Sequence, residues 1–166
     1  MKVLTTIEGL DVVEAANGTV RFIGDVDVDI DGVDAKTGKP YDARGDKYYQ
    51  AATSLRVNGQ SLDARVDRYV VVPQQLPKLV RGVVLGCKCV VEDMLTNTSA
   101  TGVVGDLGPT AKVGEVSCAM ALALGLNDSP VNGGSDQKRF RYTVYPDTPA
   151  FVNGKLYPLQ PLKSKA

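Results

Sequence analysis

The nine residues Gly24-Asp-Val-Asp-Val-Asp-Ile-Asp-Gly32 constrain the fold of this chain more than any other stretch. Asp25, Asp27, Asp29 and Asp31 alternate with Val26, Val28 and Ile30, which is the period of a strand whose successive side chains point to opposite faces. Extended, the segment has one wholly apolar face and one wholly acidic face. Asp34 lengthens the acidic cluster, and no Lys or Arg falls between Asp25 and Asp34. Such a row carries a cost in self-repulsion, because like charges at this spacing are only partly screened.

Three readings of that cost compete. The row is a solvated strand face, or it binds calcium, or it is the wall of a cleft for a cationic ligand. For calcium, Asp27-x-Asp29-x-Asp31-Gly32 copies the first half of an EF-hand loop. The twelfth position is Gly38 where a bidentate Glu belongs, and no helix flanks the segment.

The rest of the chain is built for a β core. Asn17-Gly18 and Asn58-Gly59 each fall between short runs rich in Val, Thr and Ile, the strongest local signal for a two-residue hairpin. Residues 68–72 form a strong strand closed by Pro73, residues 79–91 give further apolar runs around Gly82 and Gly86, and a last strand falls near 139–145. Residues 34–49 and 127–135 are loops, the first long enough to suggest a functional one. In all, six to eight short strands and one helix over 115–124 predict a mainly β, closed or nearly closed small barrel. With 166 residues of which 43% are hydrophobic, one domain over 1–166 is expected, the residues after about 147 forming a Pro-rich tail.

Composition excludes several chemistries. The chain has 19 basic and 19 acidic side chains, so nothing global attracts nucleic acid or an anionic membrane. No apolar run approaches the roughly 20 residues of a membrane helix, and the first residues break too early for a secretory signal. Histidine is absent, which removes histidine-dependent nucleophiles and histidine-ligated metals. Cys87 and Cys89 sit two apart and Cys118 stands alone, poor zinc spacing. Free buried thiols are expected, with a disulfide to Cys118 as the alternative. No cofactor or metal is called for, and a monomer is the default.

Carboxylates remain as the main reactive groups. Residues 102–126 place Asp106 at the end of an apolar run and Glu115 at the mouth of the predicted helix, with Gly108-Pro109 between them. The bland reading makes Asp106 a turn residue and Glu115 a helix-start anion. The functional reading makes them an acid/base pair.

The order of the motifs favours the second. Asp27-Val-Asp-Ile-Asp-Gly32, Tyr49-Gln-Ala-Ala-Thr-Ser54, Leu62-Asp-Ala64, Tyr69-Val-Val-Val-Pro73, Gly105-Asp106, Gly114-Glu-Val-Ser117 and Tyr142-Thr-Val-Tyr-Pro146 follow one another along most of the chain. Together they resemble the endo-chitosanases of glycoside hydrolase family 75. That resemblance implies a double-psi-like barrel and a secreted enzyme that cleaves β-1,4-linked glucosamine polymer, chitosan, with inversion. It also implies that Asp106 and Glu115 are the catalytic carboxylates. Asp27, Asp29 and Asp31 then become substrate-binding residues, with Gln50 and Asp63 nearby. Apolar surroundings favour Glu115 as general acid and Asp106 as general base.

Many fungal members carry a signal peptide, which the first residues here are not expected to form, and a cysteine where this chain has Ile30. The chain also has no tryptophan, leaving Tyr41, Tyr48, Tyr49 or Tyr69 as sugar platforms. Alternatives are a non-catalytic or calcium-stabilised β-domain that binds an aminosugar polymer, and a hydrolase of a related polymer such as peptidoglycan.

Overall fold

The computed structural model describes residues 1–109 and 112–161; the polar end 162–166 lies outside them. In chain order the elements are β1 (Lys2–Ile7), β2 (Leu10–Glu14), β3 (Val20–Asp29), β4 (Arg56–Val57), β5 (Gln60–Ser61), β6 (Tyr69–Pro73), α1 (Leu76–Leu79) and β7 (Cys87–Asp93). They continue as β8 (Thr98–Gly108), β9 (Glu115–Ser117), α2 (Cys118–Ala123), β10 (Ser135–Pro149), β11 (Phe151–Val152) and β12 (Lys155–Leu156). Strands β3, β10, β7, β8, β6 and β9 pair in that order, and β9 pairs back onto β3. The result is a closed six-stranded barrel, with β1 and β2 added at the β3 edge. Two of its pairings, β3 with β9 and β6 with β8, are parallel.

Local chemistry explains much of this. Both Asn-Gly pairs lie in hairpins, but only Asn58-Gly59, between β4 and β5, is the expected two-residue connection. Asn17-Gly18 sits in a longer one over residues 15–19 between β2 and β3, where Asn17 Oδ1 accepts from the Thr19 N–H (3.1 Å) and hydroxyl (2.6 Å). Strand β3 alternates buried and half-buried residues from end to end, with Val20, Phe22, Val26 and Val28 inside and Asp25, Asp27 and Asp29 outside. Phe22 stacks on Tyr142 of β10 at 5.0 Å between ring centroids, and Tyr69, Val70, Val72 and Met120 fill the middle. All three cysteines are free and buried.

Two further expectations need correction. Residues 115–117 are not helical: they form β9, paired on one side to β3 and on the other to β6. The helix begins only at Cys118, where the Ser117 hydroxyl caps the Met120 N–H, and Leu122 on it is 57% exposed. A second short helix, α1, starts from the Pro-containing connector after β6. The EF-hand likeness also fails, because Asp27 and Asp29 lie along a paired strand instead of wrapping around a point. The C-terminal segment is tied down at least to Gln160, which bridges Leu85, and Tyr157 is buried.

Candidate active site

A β-bulge aims Asp106. In the parallel pairing of β6 with β8, Val70 faces Val104 but Val71 faces Asp106, so Gly105 is the extra residue. Without that insertion Gly105 would face Val71 and Asp106 would turn to the other side of the sheet. Only glycine fits the bulge: a Cβ there would lie 2.6 Å from Tyr69 Cβ and 2.7 Å from Leu62 Cδ1. The freed Gly105 carbonyl accepts the Leu55 N–H at 3.0 Å.

Glu115 reaches the same place from the other side. It pairs with Val71 through β9, antiparallel to β6, and with Asp27 through the parallel pairing to β3. Gly114, at φ 95°, lets the chain pass close to β3: a Cβ would stand 2.4 Å from Asp25 Oδ1. Asp106 and Glu115 therefore flank one residue, Val71, on neighbouring strands of β6. Two strand spacings put their backbones roughly 9–10 Å apart.

These acids meet where two lobes of a cleft join. The larger lobe, about 640 Å³, is lined by Asp27, Asp29, Asp31, Asp46, Tyr48, Lys112 and residues 130–136. The smaller, about 350 Å³, is lined by Gln50, Ser54, Asp106 and the turn at Gly108-Pro109. Asp29, Asp31 and Glu115 belong to both.

Hydrogen bonds divide the carboxylates. Asp106 Oδ1 accepts from the Ser54 N–H (3.0 Å), the Ser54 hydroxyl (2.6 Å) and the Leu107 N–H (3.0 Å). Burial raises the Asp106 carboxyl above its ordinary range while those three donors work against it. Burial also raises Glu115, opposed by Lys112, whose Nζ lies 3.7 Å from Glu115 Oε1 and 2.7 Å from Asp27 Oδ2. Asp29 is pushed to about 8 by burial and then by the Asp31 charge. Asp31 goes to about 6 through burial, helped by the Asp106 charge and opposed by the Gln50 N–H on its Oδ1 (2.8 Å). Carboxylate oxygens of Asp29, Asp31 and Asp106 lie within 4.8 Å of one another. Three such oxygens suit a hard cation but fall short of the roughly six to eight that calcium takes.

Of the residues expected at the site, the structure brings together Asp27, Asp29, Asp31, Gln50, Asp106 and Glu115. It does not bring Asp63, which is 2% exposed, lines neither lobe and is held by Arg65 at 2.8 Å and by the Ala35 N–H. Tyr69 is fully buried and cannot meet a sugar; its hydroxyl donates to the Asp31 carbonyl (2.9 Å). Tyr41 and Tyr49 do the same for the carbonyls of Ile30 (2.8 Å) and Gly32 (2.6 Å). Three tyrosines thus brace the segment that carries Asp31. Sequence reasoning missed Lys112, although it is the one cation in residues 102–126 and stands three before Glu115. Ser54 closed a quoted motif without a role, and its contact with Asp106 spans 52 positions.

A closed barrel with two opposed acids at the waist of an acidic cleft has the equipment of a glycoside hydrolase. The family model of the fungal chitosanases of glycosyl hydrolase group 75 matches residues 26–156, and the chain belongs to that family of chitosanase-type glycoside hydrolases. No curated protein gives a significant match to the chain.

Proposed function

We propose that the chain, acting as one hydrolase domain, cleaves β-1,4-linked glucosamine polymer at internal bonds with inversion, Asp106 serving as general base and Glu115 as general acid. The observation that carries this is their common register to Val71 from opposite sides of β6. Backbones roughly 9–10 Å apart on one face suit the roughly 6.5–9.5 Å between carboxyl groups that leaves room for a water. Three hydrogen bonds on one Asp106 oxygen favour its ionised form and leave the other oxygen to take a proton from that water. Water oxygen bonds to the anomeric carbon, the glycosidic C–O bond breaks, and the leaving oxygen takes the Glu115 proton.

Asp27, Asp29, Asp31 and Gln50 line the cleft as substrate-binding residues. Burial first, and then neighbouring carboxylate charge, raises Asp29 and Asp31, and a cation beside them would favour their ionised forms. The ammonium groups of chitosan in mild acid supply such cations.

The test is a reducing-end assay on chitosan, chitin oligomers and peptidoglycan, with the first-formed anomer read by NMR. Chitosan is expected to be cleaved with the α-anomer appearing first, and Asp106→Asn and Glu115→Gln to be nearly inactive. Equal inertness of all three proteins, or a β-anomer first, overturns the proposal.

A further inference from the structure

Tyr48 is 87% exposed, a large apolar ring left in water by a chain that buries most of its others. Among the described residues it is the one aromatic ring lining either lobe of the cleft. Folding does not explain it: Tyr69, Tyr142, Tyr157, Phe22 and Phe140 are core residues, while Tyr41 and Tyr49 pack against the core.

Its presentation is nevertheless fixed. The Tyr48 N–H donates to Asp46 Oδ1 at 2.9 Å, the Asp46 N–H donates to the Ala43 carbonyl at 3.1 Å, and the Arg44 N–H donates to Asp42 Oδ1 at 3.0 Å. Arg44 then reaches Asp128 with two bonds, 3.0 and 2.9 Å, a fork that pins this turn to the loop that leads into residues 130–136 of the lobe lining. Asp46 Oδ2 accepts no hydrogen bond among the described residues, and Asp46 lines the lobe with Tyr48. A flat ring and an open carboxylate oxygen two residues apart are held on one rim. A glucosamine ring has the matching parts: an apolar C–H face for the aromatic ring and an ammonium for the carboxylate.

We propose that Asp46 and Tyr48 form a sugar subsite in the larger lobe, taking one deacetylated glucosamine unit with its face on Tyr48 and its ammonium on Asp46. The subsite rests on the hydrolase reading above and adds to it a contact remote from the bond being broken. Its contribution grows with substrate length, because a sugar must extend that far to be held.

The test compares wild type, Tyr48→Ala, Tyr48→Phe and Asp46→Asn on glucosamine oligomers of increasing length. Asparagine keeps the Oδ1 acceptor for the Tyr48 N–H, so the turn survives. Tyr48→Ala is expected to lower kcat/KM on the hexamer by roughly three- to tenfold, the scale of one aromatic contact. The loss on the shortest oligomer that the wild type cleaves is smaller, Tyr48→Phe keeps most of the hexamer activity, and Asp46→Asn follows Tyr48→Ala. Equal losses at every length, or none at any, overturn the subsite. Calorimetric binding of the hexamer to Glu115→Gln, with and without Tyr48→Ala, separates the two readings: an inert wild type that binds more weakly without Tyr48 removes the hydrolase and keeps the subsite. Unchanged binding removes the subsite alone.

Discussion

Asp93 and Asp29 are both acids held largely out of water at the ends of barrel strands, and the protein treats them in opposite ways. Asp93 is 1% exposed and receives Arg139 through bonds of 2.9 and 3.0 Å, together with the Leu95 N–H. The Arg139 hydrogen bonds hold its carboxyl below the ordinary range. Asp63 follows the same pattern: burial alone would raise it, but Arg65 and backbone donors hold it down. Asp29 accepts one backbone N–H, from Asp31, and its charged neighbours are Asp31, Glu115 and Asp106. Where an acid serves the fold, a cation is supplied with it. At the cleft Lys112 serves Asp27 and Glu115, and Asp29 and Asp31 form no ion pair among the described residues.

That contrast can be broken most sharply at the reaction itself. Asp106→Asn and Glu115→Gln are each expected to lower kcat by about 10²–10⁴-fold, while thermal unfolding shows no loss of stability, since burial already disfavours the charged form of each. A melting temperature that falls along with activity would move the acid to the structural group. In that group, Arg139→Ala strands the buried Asp93 and is expected to cost about 1–3 kcal/mol in denaturant unfolding. Activity per folded molecule should hold.

Smaller effects sharpen the difference through pH. A carboxyl raised in the folded state contributes stability that is complete below its ordinary value near 4 and is lost as pH rises through the folded value. That loss runs from near pH 4 up to about 6 for Asp31 and up to about 8 for Asp29. Asp29→Asn is therefore expected to stabilise the fold by about 0.5–2 kcal/mol at pH 8, with the gain vanishing below pH 4. Asp93 and Asp63 have the opposite sign: their contribution is present above the ordinary value and is lost as acid carries the pH through their depressed ones. The smallest effect is at Lys112. Lys112→Met removes the charge that lowers Glu115, so the Glu115 value rises. With Glu115 as general acid, the alkaline limb of the pH–rate profile moves up. Movement of the acid limb instead would exchange the two catalytic roles.

Much of the site was legible because its signals are local. The alternation of Asp25, Asp27 and Asp29 with valines produced the half-acidic strand it predicts, since a period of two needs nothing from the rest of the chain. Asn17-Gly18 and Asn58-Gly59 lie in hairpins for the same reason, the second as the two-residue connection expected. The helix boundary was misread because β9 is only three residues long and is strand solely through β3 and β6, partners distant in sequence. Asp63 was expected beside the cleft; the fold buries it instead, with Arg65 two residues on and the distant Ala35 N–H as its partners.

By itself the sequence determined a β chain with one acidic strand face, two hairpins and a Gly-Asp and a Gly-Glu motif in fixed order, because pattern and turn chemistry act over a few residues. Closure of the barrel decided everything that depends on strands meeting. It turned Asp106 into the cleft through the Gly105 bulge and set Glu115 opposite the same Val71. It buried Tyr69 and left Tyr48 exposed on the rim. Register between distant strands is set by packing around a common core, and no short stretch of sequence contains it.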